Sequence, residues 1–358
     1  MLVLGVMSGS SLDGLDVAIV DFQYKERAWD WTLIEAKTIP LQPSLKKRLA
    51  HITDMKAFEL AQTNSDYSAF ISRSINNFLE EINQIPQVAG IHGHTILHLP
   101  EAAISWQLLN GGHLAEKTKL PIVCDFRNQD MALGGQGTPM AVLCDRDLFI
   151  GYDAYLNLGG IANLSYNNTE EWIGYDLIGC NQFLNHFSAK KGLDFDKNGD
   201  LARSGKRLPD LLLKLDSDPY LHQAQPKSLD NSYIKSIIQE IDKIHGSTED
   251  ALFTCTEFIS TQIAKELQAT NIESVLVTGG GTKNTYLIES IESKLDHNKI
   301  TLTIPEDHII DYKESILIAY AALLRWETLP NFVPTATGAS SAVIGGALYL
   351  PANNNVNE

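Results

Sequence analysis

The order of apolar segments is repeated in the two halves of the chain, and this repetition constrains the fold more than any other feature. In the first half, an apolar run (Leu2–Met7) leads into a turn rich in Gly and Ser (8–14), and a second apolar run follows (16–20). Two such runs around a turn predict a hairpin of buried strands. A segment with helical periodicity (56–85) then leads into another apolar run (88–91). The first half is therefore predicted to be an α/β unit that opens with a hairpin.

The second half follows the same order without repeating the residues. Its segments are, in order, a strand at 154–158, the turn Gly159-Gly160, a strand at 161–165, a long helix at 250–269, and a strand at 274–278 that ends in Gly279-Gly280-Gly281. This shared order indicates a duplicated α/β unit. Two lobes whose turns grip phosphates across a cleft are one interpretation, and two ordinary α/β domains are the other.

Composition and charge exclude several classes of protein. The 358 residues suffice for two domains, and the hydrophobic fraction of 44% allows a core without disulfides. A net charge of −16 argues against nucleic acid as the main partner, although one nucleotide can still bind to backbone N–H groups. The four cysteines are widely spaced, and neither a signal peptide nor a membrane-length apolar run is evident. We expect a soluble, cytoplasmic protein with no membrane partner.

Two glycine-rich turns are candidates for binding the phosphates of a nucleotide. The first contains Gly9, Ser10, Ser11, Asp13 and Gly14, in which glycines permit close approach, hydroxyls donate, and the carboxylate could hold Mg²⁺ through water. Most turns of this kind only connect strands.

The second turn, Gly279-Gly280-Gly281 with Asn284, lies between an apolar strand and an amphipathic helix, where a helix N-terminus can receive a nucleotide. A tight strand–helix connection is the alternative. The P-loop and dinucleotide-binding signatures are absent. A metal site at His92, His94 and His98 has little support, because no cysteine flanks them, and substrate contact or packing is preferred.

An ordered series of motifs covers nearly the whole chain and resembles the anhydro-N-acetylmuramic acid kinase family. The motifs are, in order, 7–16 (MSGSSLDGLD), 92–98 (HGHTILH), 125–127 with Asp130, 134–139 (GGQGTP), 157–163 (NLGGIAN), 174–176 (GYD), 279–281 with Asn284, 313–314, and 337–339. The resemblance implies a two-lobed actin-like fold, a duplicated ribonuclease H-like α/β architecture with an interdomain cleft for ATP and sugar. The lobes are then expected to be 1–134 with 335–358, and 135–334.

The resemblance also implies an activity. Family members bind ATP with Mg²⁺, add water across the 1,6-anhydro bond of 1,6-anhydro-N-acetylmuramic acid, and transfer the γ-phosphoryl group to O6. The product is N-acetylmuramic acid 6-phosphate, and the pathway is peptidoglycan recycling. Asp176 occupies the position of the catalytic aspartate, which would take a proton from the attacking water.

Further residues receive implied roles through the same motifs. Nucleotide contacts are expected at Gly9, Ser10, Ser11, Asp13, Gly14, Gly159, Gly160, Asn163, Gly279, Gly280, Gly281 and Asn284, with Asp13 also as the metal residue. Sugar contacts are expected at His92, Asp125, Arg127, Asp130 and Glu314. Arg127 suits the lactyl carboxylate of a muramic sugar. An Arg–Asp pair that only shapes the fold, and a glutamate that only complements a helix N-terminus, are the alternatives.

The chain departs from the family pattern after Asp176. The usual Thr-Gly-Pro-Gly-Asn is replaced by residues 177–181 (LIGCN), in which only Asn181 is retained. This change could alter the pocket, slow the reaction or only repack the segment. A kinase for another amino sugar and a catalytically silent nucleotide- or muropeptide-binding sensor therefore remain alternatives. Homodimers occur among similar proteins, and a homodimer is possible here.

Overall fold

The computed structural model describes residues 1–9, 12, 14–169, 171–225, 227–229, 231–270, 272–295 and 299–352. The strands are β1 (Leu2–Met7), β2 (Gly14–Lys25), β3 (Ala28–Pro40), β4 (Val88–His92), β5 (His94–Leu99), β6 (Ile104–Leu108), β7 (Ile122–Cys124), β8 (Ala154–Leu158), β9 (Ile161–Asn167), β10 (Trp172–Gly179), β11 (Ser274–Thr278), β12 (Thr301–Thr303) and β13 (Ala347–Tyr349).

The α-helices lie between groups of these strands along the chain. They are α1 (Pro43–Ala50), α2 (Ala57–Ile82), α3 (Gly111–Thr118), α4 (Asn128–Ala132), α5 (Ala141–Asp147), α6 (Asn181–Ala189), α7 (Asp200–Ser204), α8 (Pro209–Asp216), α9 (Asn231–Ile241), α10 (Thr248–Gln268), α11 (Thr285–Leu295), α12 (Asp307–Trp326) and α13 (Pro334–Thr337). Among the described residues, no helix combines the length and the apolar character needed to cross a membrane.

Two compact units make up the chain, and both contain the same sheet topology. The first unit comprises Met1–Ile150 with Tyr312–Glu358, and the second comprises Gly151–Asp311. Their sheets have the strand orders β13-β7-β4-β1-β2-β3 and β10-β9-β8-β11-β12. In each sheet the first three strands (β1-β2-β3 and β8-β9-β10) are antiparallel, and the fourth strand, β4 or β11, joins the first in parallel. This repeated order is that of a ribonuclease H-like unit, so the predicted duplicated α/β fold is confirmed.

The unit boundaries differ from the expected ones at 134/135 and 334/335. Contacts within the first unit explain the difference. Lys313 on α12 donates to Asp145 on α5, and the Trp31 indole donates to the Leu148 carbonyl. Asn331 is fully buried and donates to Gly345. These contacts tie the residues on either side of the second unit to the first sheet.

Helix α12 packs unusually close to the first sheet, and two glycines make this possible. A Cβ on Gly5 of β1 would lie 1.9 Å from the Ser315 carbonyl oxygen, and one on Gly90 of β4 would lie 2.4 Å from that of Ile318. Neither distance is sterically allowed, so the two central strands must carry glycine where the helix crosses them.

The second unit is built around α10, which presents a largely buried face to its sheet. Ser247 caps this helix, since its hydroxyl accepts a hydrogen bond from the Asp250 N–H at 3.0 Å. We expect Ser247→Ala to lower the free energy of unfolding by about 1 kcal/mol in urea denaturation, because one helix N–H loses its partner. Ser293→Ala, at an exposed position of α11, is the matched control, with an effect of less than about 0.5 kcal/mol. Equal effects of the two substitutions would contradict the capping role.

Candidate active site

A row of polar side chains crosses four adjacent strands of the second sheet. Thr278 on β11 pairs with Asn157 on β8, Asn157 pairs with Asn163 on β9, and Asn163 pairs with Asp176 on β10. Directly paired residues place their side chains on the same face of a sheet. The row lies where the parallel strands β8 and β11 reach their carboxyl ends, which is where ligands bind in open α/β sheets. The structure thus brings the predicted Asn163 and Asp176 together.

A β-bulge immediately follows Asp176. Asp176 pairs with Asn163, whereas Ile178 pairs with Ala162, so Leu177 is the extra residue. Leu177 and Ile178 are both buried within the hydrophobic core of the second unit. The altered family segment therefore repacks the core with its two bulky side chains. Bulges of this kind redirect a neighbouring side chain.

The Asp176 carboxyl group has one described hydrogen bond, in which the Leu229 N–H donates to Oδ2 at 2.8 Å. Burial raises the pKa of Asp176 to about 6, and the Leu229 N–H opposes this rise. A carboxylate with a pKa near 6 is largely ionised at neutral pH and is a stronger base than an exposed aspartate. Asp176 is thus suited to accept a proton.

The glycine turn that follows β11 packs against the end of β8. Gly279 has a φ of +89°, and a Cβ there would lie 2.5 Å from Asn157 Oδ1. Asn181 donates its backbone N–H to the Gly159 carbonyl and its side-chain Nδ2 to the Leu158 carbonyl at 2.9 Å. Gly160 accepts from the N–H groups of Cys180 and Gln182. The turn after β8 is therefore fixed against the start of α6.

The remaining predicted nucleotide residues of the second unit lie beside these turns. Gly280 and Gly281 belong to a 3₁₀ turn after β11, and Asn284 follows it. Asn284 Oδ1 accepts the Leu287 N–H at 3.0 Å, so it caps α11. This bond gives Asn284 a structural role in the strand–helix connection, while its Nδ2 donors are not used by the cap, so its predicted nucleotide contact stays a prediction.

In the first unit, the predicted residues follow the carboxyl ends of β1, β4 and β7. Gly9 follows β1, where the Ser8 N–H donates to the His92 carbonyl at 3.2 Å. His92 ends β4 and pairs with Met7, which in turn pairs with Asp16. Gly14 begins β2, and a Cβ there would lie 2.6 Å from Thr38 Cγ2. Gly14 thus has a structural reason to be glycine.

Arg127, His92 and Glu314 form an electrostatically coupled group in the first unit. Burial lowers the pKa of Arg127 to about 10, and Glu314 opposes this, so the guanidinium stays charged at neutral pH. Among the described residues, no hydrogen bond reaches Arg127 Nε or either ring nitrogen of His92. Burial and the Arg127 charge lower the pKa of His92 well below its usual value, so its ring is neutral.

Glu314 is exposed on α12, although many protein atoms lie near its carboxyl group. Their desolvating effect raises the pKa of Glu314, as does neighbouring Asp16, while Arg127 and Lys313 lower it. The group therefore combines a half-buried cation, a neutral imidazole and a carboxyl group with a raised pKa. Such a set can bind an anionic or hydroxyl-rich ligand.

Asp130 and Asp125, the two other residues predicted to contact the sugar, differ in burial and in hydrogen bonding. Asp130 is fully buried, and its oxygens accept the Gly137 N–H and the Thr337 hydroxyl, each at 2.7 Å. This geometry favours the fold-shaping alternative for Asp130. Asp125 is exposed, has a φ of +58°, and accepts a hydrogen bond from Asn128.

Some expectations fall on residues that the structure does not describe. Ser10, Ser11 and Asp13 lie outside the described residues, so their predicted contacts stay predictions. Within the described ranges, no three His, Cys, Asp or Glu side chains are arranged to hold a metal ion.

Sequence reasoning did not single out Asn157, Thr278 and Asn181 as site residues. Thr278 ends an apolar strand, and Asn157 is the residue before the last of another, and each strand runs into a glycine turn. A polar residue in the last two positions of a largely apolar strand before a glycine turn is the signal that could have found Asn157 and Thr278. Asn181 was recognised only as a retained family position.

Comparison with known proteins places the chain in a family. A family model described as anhydro-N-acetylmuramic acid kinase matches residues 1–351. The chain belongs to this family. The anhydro-N-acetylmuramic acid kinase of Pasteurella multocida (strain Pm70) is 32% identical, covering 98% of this chain and 97% of the relative. That of Pseudomonas fluorescens (strain Pf0-1) is 31% identical, covering 97% and 99%. The resemblance inferred from the motifs is therefore confirmed, and this family is one of phosphotransferases.

The comparison with solved structures includes a ROK family glucokinase from Streptomyces griseus in complex with glucose and AMPPNP. It is 12% identical to the chain, has a TM-score of 0.43, and covers 90% of this chain and 99% of the glucokinase.

Proposed function

We propose that this member of the anhydro-N-acetylmuramic acid kinase family hydrolyses the 1,6-anhydro bond of 1,6-anhydro-N-acetylmuramic acid and phosphorylates O6 with ATP. The product is N-acetylmuramic acid 6-phosphate, within peptidoglycan recycling. The observation that carries the proposal is the position of Asp176, a partly buried carboxylate in a row of polar side chains beside two glycine turns.

In this mechanism Asp176 takes one proton from a water molecule. The water oxygen forms a bond to the anomeric carbon, and the bond from that carbon to O6 breaks. O6 then attacks the γ-phosphorus, and ADP leaves. The anomeric hydroxyl comes from water, the O6 phosphate comes from ATP, and the proton remains on Asp176 until solvent removes it.

The substrate ATP would enter as its magnesium complex. Gly160 and Gly280 are exposed and Gly159 and Gly279 are partly exposed, so a phosphate can approach their backbone, whereas Gly281 is buried; Asn163 lies in the same row as Asp176. We assign Gly9, Ser10, Ser11, Gly14 and Asp13 to the same nucleotide, with Asp13 as the residue for the metal, as expected from the motifs. The metal would stabilise negative charge on the transferred group.

The anionic sugar would be held in the first unit. Arg127 is suited to its lactyl carboxylate, because a half-buried guanidinium whose Nε–H is buried and has no hydrogen-bond partner among the described residues gains from an anionic ligand. His92, Glu314 and Asp125 would contact its hydroxyl groups. We further propose a cytoplasmic compartment, where ATP is supplied, and the four cysteines are free, as a reducing compartment requires. The possible homodimer stays a prediction.

We expect Arg127→Lys to raise KM for the anhydro sugar about tenfold while KM for ATP changes little. Lysine keeps the charge but loses the paired N–H donors that fit a carboxylate, and tenfold corresponds to about 1.4 kcal/mol. Initial rates at varied sugar and fixed ATP measure the effect. Arg48→Lys, at an exposed ion pair with Asp66, is the matched control. Equal KM values for wild type and Arg127→Lys would remove Arg127 from the sugar site.

ADP release upon addition of 1,6-anhydro-N-acetylmuramic acid tests the proposed function. Purified protein with ATP and Mg²⁺ should release ADP only when this sugar is present. A panel of other amino sugars should give much lower rates. Release that is faster with another amino sugar, or that does not depend on any sugar, would contradict the proposal.

A further inference from the structure

At the outer edge of β10, Tyr220, Lys227 and Leu229 make three hydrogen bonds with Asp176. β10 is an edge strand, so its outer backbone groups have no strand partner within the part of the chain that the structure describes. The Asp176 N–H donates to the Lys227 carbonyl at 3.0 Å, and the Tyr220 hydroxyl donates to the Asp176 carbonyl at 2.7 Å. The Leu229 N–H donates to Oδ2. The backbone and the carboxylate of Asp176 are thus held by one short segment.

Tyr220 and Lys227 hold this segment together. The Lys227 Nζ lies 4.5 Å from the centre of the Tyr220 ring and donates to the Tyr220 carbonyl at 3.1 Å. Tyr220 is buried in the core of the second unit, where Asp218 accepts its backbone N–H at 3.0 Å. The ring contact and the hydrogen bonds fix the position of the Lys227 backbone, two residues before the Leu229 N–H.

We infer that Tyr220 and Lys227 are positioning residues for Asp176, which hold the Leu229 N–H on Oδ2 and leave Oδ1 to take the proton from water. The inference rests on the proposed function, in which Asp176 is the base. Within the described residues, no hydrogen bond reaches Oδ1. One carboxylate oxygen is therefore anchored and the other is available for the reaction.

The Leu229 N–H also affects the proton affinity of the Asp176 carboxyl group. A hydrogen bond to the charged form of a carboxyl group favours that form and lowers its pKa. At Asp176 this effect opposes the rise caused by burial. If the segment moves away, burial alone acts, and the pKa of Asp176 rises. A larger fraction of the base is then protonated and inactive at neutral pH.

Other ionisable groups surround this cluster. Asp218 accepts the Tyr233 hydroxyl at 2.6 Å and raises the pKa of Tyr220, after burial and Asp176. Burial lowers the pKa of Lys227, which Glu266 and Asp218 oppose. Lys227→Met removes a charge as well as the ring contact, whereas Tyr220→Phe removes only the hydroxyl. A common effect of both substitutions therefore cannot come from the lost charge.

The experiment is a direct titration of Asp176 by NMR in full-length protein labelled with ¹³C at the aspartate carboxyl groups. The Asp176 signal is identified by its loss in Asp176→Asn. We expect Tyr220→Phe and Lys227→Met each to raise its pKa by about 1 unit, because a hydrogen bond to a charged group is worth at least this much. Tyr175→Phe is the matched control, since that hydroxyl donates to Glu266, and the Asp176 pKa should not change.

Measurements of turnover distinguish a failure of this inference from a failure of the proposed function. In an active enzyme, a rise of the Asp176 pKa from about 6 to about 7 should lower kcat about twofold at pH 7 and nearly tenfold at pH 5, with KM for ATP unchanged. An Asp176 pKa that is unchanged in both variants would overturn the positioning role. If the wild type releases no ADP, the proposed function fails, and the titration still decides whether the segment controls Asp176.

Discussion

Asp176→Asn is expected to lower kcat about 10²- to 10⁴-fold, which is the usual contribution of a general base. The amide retains an oxygen that can accept the Leu229 N–H, so the fold should be preserved. Only the ability to take a proton is lost. Steady-state ADP release at saturating sugar and ATP measures the effect. Asp242→Asn, a surface carboxylate paired with Lys190 and His186, is the matched control and should leave kcat unchanged.

The pH dependence of the rate is a second test of Asp176 as the base, because the rate should fall at low pH. Asp176 must be ionised to accept a proton, and its pKa is about 6. The rate should therefore be constant above this value and fall tenfold per pH unit well below it. An exposed aspartate, with its ordinary pKa near 4, would keep the rate high to about two units lower pH. An undiminished kcat in Asp176→Asn, or a rate that stays constant down to pH 5, would exclude Asp176 as the base.

Lys313→Met is expected to lower the free energy of unfolding of the first unit by about 3–5 kcal/mol. The Lys313 Nζ donates to Asp145 Oδ1 at 2.6 Å, and the side chains are only 11% and 5% exposed. Nζ also lies 5.2 Å from the centre of the Phe149 ring. Methionine fills a similar volume but leaves the Asp145 carboxylate buried without its cation. Urea unfolding followed by circular dichroism measures the change.

Two further variants test whether the loss of stability comes from leaving a buried charge without its partner. Lys283→Met removes the cation of an exposed pair with Asp311 and should cost less than about 1 kcal/mol. Combining Lys313→Met with Asp145→Leu removes both buried charges and should recover much of the lost stability. A loss for Lys313→Met as small as that for Lys283→Met would show that the buried pair does not hold α5 to α12.

The sequence was sufficient to predict the duplicated sheet, because strand and turn signals depend on local residues. The runs at 2–7 and 274–278 coincide with β1 and β11. The unit boundaries were harder to predict from the sequence, because they depend on contacts between distant residues such as Asp145 and Lys313. No periodicity within residues 135–150 indicates which sheet that segment joins.

The site was predictable only where a motif marked it. Asp176 and Asn163 were named from motifs, and their cross-strand pairing places them side by side. The bulge at Leu177 could not be foreseen, because it arises from the register between β9 and β10. The commitment of the Asp130 oxygens to Gly137 and Thr337 was equally hidden, since Thr337 is remote in sequence. Hydrogen bonds between distant segments decide such roles.

Analysis of the sugar product tests the central claim most directly. The protein is incubated with ATP, Mg²⁺ and 1,6-anhydro-N-acetylmuramic acid, and the product is examined by mass spectrometry and ³¹P NMR. We predict one sugar product, heavier than the substrate by one water and one phosphoryl group, with its phosphate on O6 and formed in equal amount to ADP. A phosphorylated sugar that keeps its anhydro ring, or ADP formed without a phosphorylated sugar, would contradict the account.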